Sequence, residues 1–113
     1  MSRHEDTVRL GHMLEHAREA VEMCRDRSRE DLDTDRMLNL ALVRLVEIVG
    51  EAANRVSKQG QADRPQIPWR QVIGMRNRIV HGYDQVDMSI LWDTIHHDLP
   101  PLIEKLRITL GRP

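Results

Sequence analysis

Residues 37–58, MLNLALVRLVEIVGEAANRVSK, decide the fold. Leu38, Ala41, Leu42, Leu45, Ile48, Val49, Ala52 and Val56 recur every three or four positions, the spacing that collects side chains on one face of an α-helix. This stripe is wide enough to meet two neighbours. Asp33 or Thr34 suits the N-cap of the helix, which is expected to run to about Lys58. Gly50 lies inside it, followed by Ala52-Ala53. Glycine there costs about 1 kcal/mol relative to alanine, so close approach of another helix is the expected reason for it.

The same period governs the flanks. Leu10, Leu14, Ala17, Val21 and Cys24 predict an amphipathic helix from about Glu5 to Arg27, with Cys24 as a buried thiol. Downstream, Gln59 to Pro65 reads as a polar loop and Pro68 as the first position of a short third helix. Asp87 is a cap for a fourth helix containing Ile90, Leu91, Ile95 and Leu99. Pro100-Pro101 must kink or restart it, so Leu102, Ile103 and Leu106 belong to a final helix that Asp98 is expected to cap. No alternating strand pattern competes and Phe is absent, so the fold class is an all-α bundle of antiparallel neighbours. Trp69 and Trp92 are expected as core or interface anchors.

At 113 residues the chain is expected to form one domain around one core. Its single cysteine excludes an internal disulfide and suits a reducing cytosol. The polar N-terminus and the lack of any long apolar run predict neither signal peptide nor membrane span, hence a cytoplasmic protein. A net charge of −1 argues against a broad basic face for nucleic acid. Locally the balance differs: from Asp63 to Gly82 there are four arginines (Arg64, Arg70, Arg76, Arg78) against one acid, whereas residues 1–36 hold seven arginines and ten acids. A small basic site on a near-neutral protein follows.

That site centres on Arg76-Asn77-Arg78-Ile79-Val80-His81-Gly82-Tyr83, a guanidinium, an amide, an imidazole and a phenol at one helix end. Asn77 and His81 are four apart and share a face if both are helical. Arg76 would then point roughly 140° away from His81, at about 100° per residue. The two converge only if the helix stops near Val80, which Gly82 favours, or if a second chain completes the site. Arg76 also takes the rung of the Trp69, Val72, Ile73, Ile79, Val80 stripe where a Leu or Ile is expected. A guanidinium turned toward packed surface needs an anion, because burying an unpaired charge costs several kcal/mol. Two anions are open: an internal carboxylate, Glu47 or Glu51, and a substrate phosphate.

The block from Met75 to Tyr83, with Glu47 to Ala53 before it and Leu91-Trp92 and Asp98-Leu99-Pro100 after it, resembles HEPN-domain ribonucleases and, more closely, their HepT toxin subfamily. The similarity spans about Met37 to Leu106. It implies a HEPN bundle of four or five helices that forms a homodimer, with two copies of the motif facing one cleft. It also implies metal-independent RNA cleavage, of tRNA or mRNA, by the toxin of a type VII-like toxin–antitoxin system. The implied partner is a minimal nucleotidyltransferase antitoxin that transfers AMP to Tyr83, and no cofactor is implied.

The residue chemistry fits. When a ribose 2′-hydroxyl attacks its own 3′-phosphate, the site needs a group that exchanges protons near neutral pH and a fixed positive charge for the phosphorane. An imidazole, with an ordinary pKa of about 6.5, makes His81 the first. The planar fork of Arg76 matches two phosphate oxygens and makes it the second. Asn77 orients either His81 or the phosphate, while Arg78, facing elsewhere, and Arg70 are assigned to the RNA backbone. One histidine per chain cannot easily act as acid and base, so two copies across a dimer axis are expected to divide the work. His12 and His16 lack a completing ligand, His96 and His97 point apart, and no metal site is expected. The rival reading is a non-catalytic nucleotide- or partner-binding HEPN module; a third is a structural bundle in which Arg76 pairs with Glu51.

Overall fold

Short polar side chains placed just ahead of apolar periods start the helices. In the computed structural model, which describes residues 2–113, Ser2 Oγ accepts from the Glu5 N–H at 3.1 Å and opens α1, Arg3–Met23. Asp35, rather than Asp33 or Thr34, caps the central helix by accepting from the Leu38 N–H at 3.0 Å. The acidic run ahead of it coils into a single turn, α2, Asp31–Thr34. Buried Asn39 ties that turn down by donating to the Leu32 carbonyl at 2.8 Å.

The central helix, α3, covers Arg36–Arg55 and packs against α1. Leu10, Met13, Leu14 and Ala17 from α1 meet Leu42, Leu45, Val46 and Val49 from α3, all buried. Burying one such leucine contributes roughly 1.5–3 kcal/mol, so this pair holds much of the fold together. Gly50 has the role its position suggested. A Cβ there would sit 3.2 Å from the Val72 carbonyl oxygen, so its absence lets the next helix lie directly on α3.

Two helix ends differ from expectation. Helix α1 stops at Met23 instead of Arg27, because Cys24 bonds back into the last turn and Asp26 adopts a left-handed φ of 61°. Helix α3 stops at Arg55 rather than Lys58, because Val56 is extended and Ser57 begins a new turn, α4, Lys58–Ala62. The expected loop is therefore partly helical. Its anchor is Asp6, a buried carboxylate that accepts from the Ser57 N–H at 2.9 Å and its hydroxyl at 2.6 Å. These two bonds, the hydroxyl first, hold the Asp6 carboxyl below the usual carboxylate range.

The remainder wraps around α3 in short pieces: α5, Trp69–Ile73; α6, Met75–Ile79; and α7, Met88–Asp93, capped by Asp87 as expected. Pro68 stands just before the first helical residue of α5 rather than in it. Trp69 is half-buried, its indole N–H shared between the Gln61 and Arg64 carbonyls at 3.0 Å each. A π-helical turn, Thr94–Asp98, links α7 to α8, Leu99–Leu110, which packs on α1. Pro100 and Pro101 explain the turn. They lack N–H groups for the His96 and His97 carbonyls and their rings would clash with those oxygens, so the chain widens before them.

The result is an all-α bundle with one departure that no alternation announced. Val80-His81 and Gln85-Val86 form a two-stranded antiparallel ladder, β1 and β2, pairing Val80 with Val86 and His81 with Gln85. No helix among the described residues is long and apolar enough to cross a membrane.

Candidate functional site

Gly74 interrupts the helix that carries the Arg76 cluster, and that interruption decides where the cluster points. After the break, the buried period is Val72, Met75, Ile79, so Met75 takes the core rung assigned from sequence to Arg76. Arg76 stands beside that rung, its side chain 42% exposed. The helix ends at Ile79, Val80 is extended, and Gly82, at φ 73°, turns the chain back along itself. Asp87 closes the hairpin by donating its N–H to the Ile79 carbonyl at 2.8 Å.

Because the helix stops at Ile79, as Gly82 favoured, and His81 sits on a strand, the helical condition under which His81 and Asn77 would share a face is not met. The two line different concavities. The first, of about 290 Å³, lies between α3 and α6 and is bordered by Glu47, Glu51, Asn54, Arg76 and Asn77. The second, of about 500 Å³, lies between the hairpin, α7 and the π turn and is bordered by Arg78, His81, Ile90, Asp93, His97 and Asp98. Within one chain, then, the guanidinium of Arg76 and the imidazole of His81 border separate concavities.

The internal carboxylate beside Arg76 is Glu47, with Oε2 3.6 Å from Arg76 Nε. That is an ion pair at arm's length. Arg76 Nε is buried and makes no hydrogen bond, while the other Glu47 oxygen is held by Arg44 at 2.5 Å. Glu51 lies on the same concavity but faces Arg44, at 4.0 Å, rather than Arg76. Arg76 Nε therefore lacks a well-formed partner within the chain, and a buried polar atom regains its lost solvation only through such a bond.

Arg78 is placed otherwise than expected. It borders the same concavity as His81 and is tied to Asp98, NH2 to Oδ2, at 2.9 Å. Asp98 consequently gives α8 no side-chain cap, the role its position suggested. Arg70 is exposed on α5 and borders neither concavity. Tyr83, at the tip of the hairpin, is fully exposed.

Sequence reading missed the part played by the π turn, which brings His97 and Asp93 to the His81 side, with 3.9 Å between His97 Nδ1 and Asp93 Oδ1. Their four-residue spacing was the available signal. His96 turns away and stacks on Trp92 with ring centroids 3.8 Å apart. Cys24 is free and buried, and that burial pushes its thiol pKa up, as befits a core residue.

Comparison with known proteins gives one consistent result. A family model described as Ribonuclease HepT-like matches residues 13–108. The chain is 37% identical over 101 residues to a Thermococcus cleftensis protein named "Probable ribonuclease HepT", covering 83% of this chain and 92% of that one. It is 33% identical over 103 residues to a candidate RNase of Caldanaerobacter subterraneus, covering 91% and 92%. A candidate RNase of Methanocaldococcus jannaschii is 28% identical over 108 residues, covering 96% and 99%. No solved structure matches the chain.

Proposed function

The chain belongs to the HepT-like ribonuclease family, and from that premise we propose that it cuts RNA at a site shared between two copies of itself, without a metal ion. The observation that carries this reading is the half-buried Arg76, whose Nε has no hydrogen-bond partner and whose nearest carboxylate stays 3.6 Å away. A phosphate oxygen supplies what Glu47 does not. In the reaction His81 takes the 2′-hydroxyl proton, the 2′-oxygen attacks the adjacent phosphorus, the bond from phosphorus to the 5′-oxygen breaks and that oxygen leaves as a protonated 5′-hydroxyl, while Arg76 holds the equatorial oxygens as negative charge gathers on them. Asn77, beside Arg76 and away from His81, orients the phosphate rather than the imidazole.

Dimerisation enters because Arg76 and His81 border separate concavities of one chain. A two-fold axis beside the motif brings Arg76 of one subunit toward His81 of the other, so each phosphodiester meets groups from both. Arg78 and exposed Arg70 supply backbone contacts, Arg78 after release or sharing of its Asp98 partner.

Regulation is proposed at Tyr83, whose full exposure leaves the phenol open to a nucleotidyltransferase antitoxin. The Tyr83 oxygen attacks the α-phosphorus of ATP and pyrophosphate leaves, so the hairpin gains a bulky anionic adenylate next to His81. That group blocks RNA and competes for the arginines. The test is incubation of the purified protein with end-labelled tRNA in EDTA. Products ending in a 2′,3′-cyclic phosphate are expected, and intact RNA under conditions where the protein is folded would end the proposal.

A further inference from the structure

Cleavage by 2′-hydroxyl attack moves two protons. One leaves the 2′-oxygen as it bonds to phosphorus, and one must reach the 5′-oxygen as the bond from phosphorus to that oxygen breaks. His81 accounts for the first. The concavity that His81 borders contains a second imidazole of the same chain, His97, carried on the π turn.

Four observations set His97 apart. Its neighbour His96 is occupied, stacked on Trp92 with Nδ1 2.9 Å from the Trp92 carbonyl, whereas His97 has only the Asp93 carboxylate at 3.9 Å. Its side chain is 74% exposed, so it can reorient toward a ligand. The turn that presents it is a true π turn, closed by the Leu99 N–H bonding the Thr94 carbonyl and forced by Pro100-Pro101. Turns of this kind recur at functional sites. Both imidazoles border one concavity of about 500 Å³. That lies within the range of roughly 300–1,000 Å³ usual for small-molecule pockets.

We propose that His97 is the general acid of the RNA-cleaving site, acting opposite His81 as base within one chain. The charged groups facing it are Asp93 and Asp98 on its own helical run, Arg78 from α6 and His81 from the hairpin. Asp98 is engaged by Arg78, so Asp93, 3.9 Å from His97 Nδ1, is the carboxylate left to complement an imidazolium. In the step itself, neutral His81 takes the 2′-hydroxyl proton as the 2′-oxygen bonds to phosphorus. The bond from phosphorus to the 5′-oxygen breaks, and that oxygen takes a proton from the His97 imidazolium. The products are a 2′,3′-cyclic phosphate and a 5′-hydroxyl, and exchange with water restores both rings. The acid and base are then not two copies of His81, and the partner subunit is needed for its Arg76.

This inference rests on the ribonuclease reading above, and one experiment separates the two. Cleavage is measured with a labelled RNA and with the same RNA carrying sulfur in place of the 5′-bridging oxygen at the mapped scissile position, where the thiolate departs without a proton. His97→Ala is expected to slow cleavage of the natural RNA by about 10²–10⁴-fold, to lose the alkaline limb of its pH profile, and to cut the sulfur-bridged RNA near the wild-type rate. His81→Ala should fail on both. Equal loss by His97→Ala on both substrates would assign His97 a structural role and overturn the inference. Unimpaired cleavage of natural RNA by His97→Ala would place the acid elsewhere, overturning the inference while leaving the ribonuclease reading intact. Wild-type rates from His81→Ala would remove His81 as the base, and uncut RNA with the folded wild-type protein would remove the ribonuclease reading itself.

Discussion

The pair α1 and α3 and the segment from Trp69 to Asp98 are built on opposite plans. The first is two long helices joined by a continuous apolar seam, in which every turn repeats the contact of the one before. The second packs two five-residue helices, a hairpin, a six-residue helix and a π turn into thirty residues. Its side chains are aimed by the breaks between elements. Gly74 moves Arg76 off the core rung, Gly82 folds His81 back, and the two prolines widen the turn that carries His97. Regular periods build stability, and the interruptions position polar groups that a continuous helix would spread around its circumference.

If that contrast is right, damage to the two regions should read out differently. Arg76→Ala or His81→Ala should lower RNA cleavage by about a thousandfold or more, equivalent to roughly 4 kcal/mol of transition-state free energy. The denaturation midpoint should hardly move, because His81 is exposed and half-buried Arg76 makes only a 3.6 Å ion pair with Glu47. A thermal shift as large as a core variant's would break the comparison. Leu42→Ala, in the seam between α1 and α3, should do the reverse. It should cost about 2–5 kcal/mol in urea unfolding, while protein that remains folded cuts RNA normally.

A smaller effect is expected where α1 meets α4. At Gly60 an added Cβ would meet Asp6 Oδ2 at 2.4 Å and Val56 Cγ1 at 2.9 Å, so Gly60→Ala should cost about 1–3 kcal/mol. The same contact carries a pH dependence. Ser57 holds the folded Asp6 carboxyl below its unfolded value, so the stability it confers is complete above the ordinary carboxylate range and is lost as pH falls through the folded pKa. Acid titration of unfolding should therefore be shallower in Asp6→Asn than in the wild type. An unchanged slope would show that the contact does not couple α1 to α4.

Smaller again is Gly82→Ala, with a cost of about 1 kcal/mol for a left-handed residue that gains a side chain in open space. Since Gly82 aims His81, cleavage should fall more than stability does. Tyr83→Phe should leave cleavage unchanged and abolish the mass increment of an adenylate expected, on the proposed regulation, when the protein is co-expressed with a nucleotidyltransferase antitoxin. Retention of that increment would move the modification to another residue.

This contrast also explains which parts of the molecule could be read from the sequence. The core of α1 and α3, the close approach at Gly50 and the Asp87 cap are local patterns, and each is found where its spacing placed it, except that Val46 enters the buried face of α3 while Ala41 and Ile48 stay at its edge. Helix α4 escaped because its anchor, Asp6, lies fifty-one residues from Ser57. The hairpin escaped because two-residue strands are too short to alternate. Arg76 was given a core rung because one period was carried through Gly74, where the helix breaks and the register restarts. Asp98 was read as a cap from its place before a helix, yet its carboxylate goes to Arg78, which no local spacing encodes.

The central claim, that one RNA linkage is cut by groups from two subunits, is open to a subunit-mixing assay. Arg76→Ala and His81→Ala are each purified, mixed, exchanged through mild denaturant, and assayed on labelled RNA, with heterodimers counted by native mass. The account predicts that two inactive preparations regain cleavage in proportion to heterodimer, because one shared site then keeps both an intact Arg76 and an intact His81. Heterodimers that form in full and still leave the RNA uncut would contradict it.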